Sequence, residues 1–144
     1  AAMRETMGEG GATLLGLDLE KDPALVEAAY NDAAGITARF TLNLLVRLNR
    51  DVGSDFDVGA FAHRARYVAS EGRIVTTLES LRDQVVTVEG QRFHFAAGEH
   101  MHVEQSQKYT DARISALAAR AGLRVVDGWN DPRDWFGLRL LRAA

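Results

Sequence analysis

The chain has 144 residues, no cysteine and a formal net charge of −3. That length allows one domain with a real core. The missing cysteine excludes a disulfide frame and a thiolate metal site, and the charge offers no cationic face to nucleic acid or an anionic membrane. No apolar stretch reaches membrane length and no leader pattern is present, so the expected location is cytoplasmic with no membrane partner.

Ala1 to Met7 has the look of the end of a helix, and Gly8 to Gly11 that of a turn. Residues 12–19 (Ala-Thr-Leu-Leu-Gly-Leu-Asp-Leu) form a nearly continuous apolar run. Such a run predicts a strand buried on both faces, as in a parallel sheet. Asp18 then stands at its carboxyl end, as a ligand-facing residue or as a turn residue. Asp22-Pro23 starts a helix, with Asp as N-cap and Pro in the first turn, running to Tyr30 and breaking near Asn31-Asp32. Gly35 punctuates. A longer helix follows through Ile36, Phe40, Leu44, Leu45 and Leu48, ended by Gly53. Asn43 and Asn49 on or near it are read as solvent-facing or capping.

Residues 55–61 predict a loop and a helical turn. From about 62 to 106 the pattern predicts an antiparallel meander of about five strands, turning at Ser70-Glu71-Gly72 and Glu89-Gly90-Gln91. His63, His94 and His100 are read as partly buried polar side chains. No His-Glu-x-x-His spacing occurs, and no metal site is expected. The stretch Gly98 to Tyr109 packs two carboxylates, two imidazoles, a serine hydroxyl and an ammonium into twelve residues. Alternation points Met101, Val103 and Gln105 one way, and His102, Glu104 and Ser106 the other. Glu104 and Ser106 thus share a face. Two readings stay open there: a charged edge strand leading to a helix cap, or a ligand site.

Thr110-Asp111 caps a helix with Ile114, Leu117, Ala118 and Ala121 on its apolar face, and Gly122 ends it. Strands at 123–129 and 135–141 follow, with Trp129 and Trp135 read as core or rim aromatics. The whole predicts an α/β fold, α+β in appearance. Strand 12–19 and the terminal helix with its two strands make a partial sheet. Residues 21–107 are an inserted helical and β-meander lobe, flanked by 1–20 and 108–144. No glycine-rich nucleotide loop follows any strand of the sheet part.

Taken together, several motifs resemble one family. They are Gly16 to Asp22, Ala29 to Phe40, Asn43 to Arg50, Asp55-Phe56-Asp57, Phe61-Ala62-His63, Gly98-Glu99 and Glu104 to Tyr109. In combination they are similar to the carboxyl-terminal part of the histidine-specific, S-adenosylmethionine-dependent methyltransferases of ergothioneine biosynthesis. The resemblance implies a partial class I methyltransferase sheet carrying an amino-acid-binding lobe. It implies that Tyr30 helps hold the substrate carboxylate and that Glu104 and Ser106 recognise its imidazole, with Thr37 and Thr76 also in the substrate set. Thr76 stands where the family is expected to show methionine, a departure that bears on histidine specificity. No catalytic and no cofactor-binding residue is assigned.

The family uses S-adenosylmethionine, but its donor-binding half has no counterpart here. This chain alone is therefore expected to bind no donor and to be inactive. The alternative is a non-catalytic amino-acid-binding or assembly module derived from that family. Either way the incomplete sheet predicts self-association through open edges or apolar faces.

Overall fold

The structure is a computed structural model that describes residues 2–144. In chain order its elements are α1 (Ala2–Met7), β1 (Ala12–Asp18), α2 (Pro23–Tyr30), α3 (Ile36–Asp51) and a 3-10 turn at Val58–Ala60. There follow β2 (Phe61–Val68), β3 (Arg73–Ser80), β4 (Gln84–Val88), β5 (Gln91–Phe95), β6 (His100–Gln107), α4 (Asp111–Arg120), β7 (Leu123–Asn130) and β8 (Phe136–Ala143). They fall into two compact units. One is the chain up to Asp22 with Gln107–Ala144; the other is Pro23–Ser106. Among the described residues, no helix is long and apolar enough to cross a membrane.

The first unit is a three-stranded sheet in the order β1-β8-β7. Both pairings are antiparallel, with Leu15 opposite Arg139 and Trp129 opposite Leu138. This corrects the expectation of a strand paired in parallel and buried on both faces. Along β1 only Leu17 is buried, while Thr13 and Leu15 are half-buried and Ala12, Leu14 and Gly16 are exposed. The reason is one-sided packing. Helix α4 lays Ile114 and Ala118 on the side of Leu15 and Leu17, whereas Leu14, on the other side, is 56% exposed. Helix α4 starts where the Thr110 hydroxyl accepts the Arg113 N–H, satisfying one of the orphan donors of the first turn.

Arg139 crosses this sheet nearly buried, at 6% exposure. It donates to Asp111 Oδ1 and Asn130 Oδ1 and to the carbonyls of Trp129 and Leu138. Its path explains two glycines. A Cβ at Gly128 would stand 2.8 Å from Arg139 Cδ, and one at Gly137 2.7 Å from its Nη1. Side chains there would displace the guanidinium from its partners.

The second unit contains the five strands expected, but not as one meander. Its main sheet has the order β2-β3-β6, and β4 and β5 form a separate hairpin. Ser80 explains the detour. Its hydroxyl donates to the Arg82 carbonyl and accepts from Gln84, and Leu81 N–H donates to the Ala60 carbonyl. These bonds turn the chain out of the sheet. The end of the excursion is pinned back where Ser80 N–H donates to the Glu99 carbonyl and Gly98 N–H to the Ser80 carbonyl.

The core here gathers Leu45 of α3, Phe56, Ala60, Phe61, Leu78 and Val86, with Met101 and Val103 of β6 packed against it. Phe61 and Phe95 meet edge-to-face at 5.5 Å, an arrangement favoured by the ring quadrupoles. Helix α2 serves the outer edge of β2: Glu27 Oε1 accepts the Tyr67 N–H, and Asn31 Nδ2 donates to the Ala65 carbonyl. Asn49 is neither solvent-facing nor a cap. It ties the loop after α3, accepting from Phe56 N–H and the Ser54 hydroxyl and donating to the Phe56 carbonyl.

Candidate functional site

The five residues expected to meet a substrate all lie within Pro23–Ser106. Tyr30 is the last residue of α2 and is half-buried. Thr37 lies in the first turn of α3. Gly35, at φ 65°, precedes that helix without a capping side chain. The cap comes from Asp32, whose two carboxylate oxygens accept the N–H groups of Ile36 and Thr37 at 2.8 Å. The backbone N–H of Thr37, then that of Ile36, then the Thr37 side chain draw the Asp32 carboxyl down to about 2. Thr37 is therefore committed first to its own helix end, and its carbonyl accepts the Thr41 hydroxyl. Thr37, Thr41 and Leu45 follow one another at helical spacing on the stripe that enters the core. That stripe is apolar at Leu45 and polar toward Thr41, which is 5% exposed.

Thr76 lies on the central strand β3 at 1% exposure. It faces the core with Ile74, Leu78 and Ser80, all buried by alternation along the strand. Glu104 and Ser106 lie on β6, the former exposed and the latter half-buried. The alternation expected along β6 holds from His100 to Glu104 and then breaks: Gln105 is exposed rather than turned inward with Met101 and Val103. Its carboxamide takes a hydrogen bond from Arg73 at 2.5 Å, while His100 Nδ1 lies 2.9 Å from the Thr77 hydroxyl. Arg73 and Thr77 share a face of β3, yet positions five apart on a regular strand do not. Gln105 thus departs from the simple pattern because a cross-strand partner holds it.

Three functional-looking groups stand otherwise than the pattern read them. Asp18 is neither turn nor open ligand site: Lys21 Nζ sits 2.5 Å from its Oδ1 and Lys108 Nζ 2.6 Å from its Oδ2. Burial resists ionisation of this carboxyl, but the hydrogen bonds and charges of Lys108 and Lys21 outweigh it and hold the group below its usual value. Asp32 was read only as a break. His63 was read as a bland polar residue, but its place two residues after core Phe61 puts it on the inward-facing side of β2, a signal present in the strand period. His94 and His100, by contrast, are exposed. A hollow of about 690 Å³ opens beside Arg64, Val75, Thr77 and His100, and none of the five candidate residues lines it.

A family model described as histidine-specific methyltransferase, SAM-dependent, matches residues 1–143. The histidine N-alpha-methyltransferase of Mycolicibacterium smegmatis is 41% identical over 142 residues, which is 97% of this chain and 44% of that protein. The enzyme of the same name from Mycobacterium tuberculosis is 40% identical, over 96% of this chain and 44% of its own length. Ergothioneine biosynthesis protein 1 of Neurospora crassa is 35% identical over 95% of this chain and 15% of its own. The chain thus spans less than half the length of these relatives.

Proposed function

The chain belongs to the histidine-specific, SAM-dependent methyltransferase family, and on that premise we propose that Pro23–Ser106 is the amino-acid-recognising lobe of an α-N-methyltransferase acting on histidine or a histidine-like amino acid. The other unit is the end of the family's class I sheet. The observation that carries this is that Tyr30, Thr37, Thr76, Glu104 and Ser106 fall in one compact unit although they are scattered along the chain.

The chemistry asked of these residues is positioning. The Glu104 carboxylate accepts a ring N–H as a charge-assisted hydrogen bond, and the Ser106 hydroxyl serves the same ring. An apolar amino acid would leave that acceptor unserved, which disfavours it. Tyr30 helps hold the substrate carboxylate. The donor, when bound, supplies the methyl group. What remains for the protein is to hold the α-amine in line, and orientation alone contributes much of such a rate. Both oxygens of Asp18 are engaged by lysines, so this acidic group at the end of β1 does not suit a donor's hydroxyls. In this reading the donor is held by residues outside these 144, and the chain alone is inactive.

Titration calorimetry of the chain with L-histidine tests the reading. We expect binding that falls at least tenfold in Glu104→Ala. Equal affinity in the two proteins would remove Glu104 from ring recognition, and methyl transfer by the unaided chain would overturn the division of labour. An assembly role is favoured by one feature, the exposed Leu14 on β1. Self-association through that strand is expected in sedimentation, and a stable monomer at micromolar concentration would count against it.

A further inference from the structure

Helix α4 meets its sheet with a gap. Ile114 and Ala118 lie on the side of Leu15 and Leu17. The small side chains at 118 and 121 leave a hollow there of about 50 Å³, which Met3, Leu123 and Leu141 also line. Its walls are apolar but for the Tyr109 hydroxyl. Protein interiors are close-packed, and an unfilled apolar hollow forfeits dispersion contacts. Water does not repair that loss, because it needs several polar partners.

A second hollow, of about 300 Å³, adjoins the first, since Tyr109 and Leu117 line both. Its other walls are Gln107, Arg113, Ala116 and Arg120, with no carboxylate among them. Arg113, Leu117 and Arg120 stand at i, i+4 and i+7, on one face of α4. The sequence pattern puts Leu117 on the apolar face with Ile114 and Ala118. Those two are 3% and 4% exposed, but Leu117 is 48% exposed. An apolar side chain thus stands at the mouth of an apolar hollow, flanked along the helix by two guanidiniums. Arg113 meets Glu20 only at 3.7 Å, and Arg120 makes no ion pair among the described residues.

We propose that the two hollows are one ligand site for a short-chain aliphatic carboxylate. The tail lies between α4 and the sheet, and Arg113 and Arg120 hold the carboxylate. Size sets the tail: a dry cavity that takes benzene measures about 150 Å³, so the inner hollow holds a few methylenes and no ring. Charge sets the head: a carboxylate matches the guanidinium fork, whereas an amine is repelled and an alcohol gains no ion pair. Inorganic phosphate would serve the arginines but leave the apolar hollow empty. Tyr109 and Leu117 form the neck between head and tail. Every residue named belongs to the unit of β1, β7 and β8, so the site takes nothing from the amino-acid lobe proposed above.

The test uses the full chain with sodium hexanoate, hexan-1-ol and hexylamine as probes, followed in carbon-13 methyl spectra. Hexanoate should bind saturably and shift the methyl resonances of Leu15, Leu117 and Leu141, and hexylamine should not. Arg120→Gln, on the helix surface, should weaken hexanoate roughly fivefold or more and leave hexan-1-ol unchanged. Arg113→Gln should act likewise. Ala121→Leu should fill the inner hollow and abolish binding of both hexanoate and hexan-1-ol. The two arginine variants keep the test independent of how well the core accepts that leucine. Hexanoate that leaves Leu15 and Leu141 unmoved would overturn the inner hollow as its seat. Hexanoate that binds both arginine variants as tightly as the parent, or hexylamine that binds as well as hexanoate, would overturn the carboxylate site.

Discussion

The two units treat buried polar groups in opposite ways. In the unit of β1, β7 and β8, the deepest cations are matched: Lys108, at 0% exposure, faces Asp18, and Arg139, at 6%, faces Asp111 and Asn130. In the unit of β2, β3 and β6, by contrast, lie all three buried side-chain atoms that lack a partner among the described residues: His63 Nδ1 and Thr76 Oγ1, and one nitrogen of Arg73, whose guanidinium is otherwise held by Glu71 and Gln105. A buried charge demands a partner from the fold itself, because desolvation is costly whether or not a ligand is present. A neutral hydroxyl or imidazole nitrogen costs far less to leave open, so the fold tolerates it. The first arrangement is required by the fold and the second is tolerated by it.

The sharpest way to break that contrast is at Asp18. Asp18→Ala removes the carboxylate that faces a fully buried ammonium, and such losses cost about 3–5 kcal/mol. We expect a lower urea midpoint with an unchanged slope. The pH dependence has a definite sign. The carboxyl is held below its ordinary 3.8 in the folded chain, so the unfolded chain binds the proton more readily. The stabilisation is present above that ordinary value and is lost as pH falls through the folded one. The gap between parent and variant should therefore be full at neutral pH and close in acid. A gap that stays constant down to pH 2 would show that the pair is not what Asp18 contributes.

Asp32 offers a smaller effect of the same sign in the other unit. Its carboxyl, drawn to about 2 by the N–H groups at the start of α3, stabilises the helix above pH 3.8 and ceases to do so as pH approaches 2. Asp32→Ala should lower thermal stability at pH 6 and converge on the parent near pH 2, followed by circular dichroism. Because Thr37 leans on the same carboxylate, the variant should also loosen the first turn of α3. Unchanged amide exchange at Ile36 and Thr37 would sink that view.

How much of this could be read in the chain follows the range of the interactions. Asp22-Pro23, Thr110 and Gly122 mark helix ends by chemistry acting within a few residues, and those elements stand where their signals put them. The five strands after Ala60 were equally legible. Their pairing was not, because β6 reaches β3 across the whole β4–β5 excursion. The same holds for β1, whose apolar run looked like an interior parallel strand but pairs antiparallel with β8 at the far end of the chain. At the candidate site, alternation could bring Glu104 and Ser106 together on paper. It could not see that Arg73 holds Gln105 outward. Nor could it find the tie between His63 and the Tyr30 carbonyl, 33 positions apart.

The smallest effect expected is also the most informative. Thr76→Val replaces a buried hydroxyl that has no partner by a methyl of the same shape. Removing a satisfied hydroxyl would cost about 0.5–1.5 kcal/mol, whereas removing an orphan relieves its desolvation penalty. The free chain should therefore be equally stable or more stable by up to about 1 kcal/mol, a sign opposite to that of Asp18→Ala. Equilibrium unfolding without ligand reads this directly. A clear loss of stability would mean that the hydroxyl is already engaged by the fold, as Lys108 and Arg139 are, and the contrast between the two units would disappear. A neutral or stabilising result would mark position 76 as one where the fold tolerates an orphan hydroxyl and stability is held below its maximum.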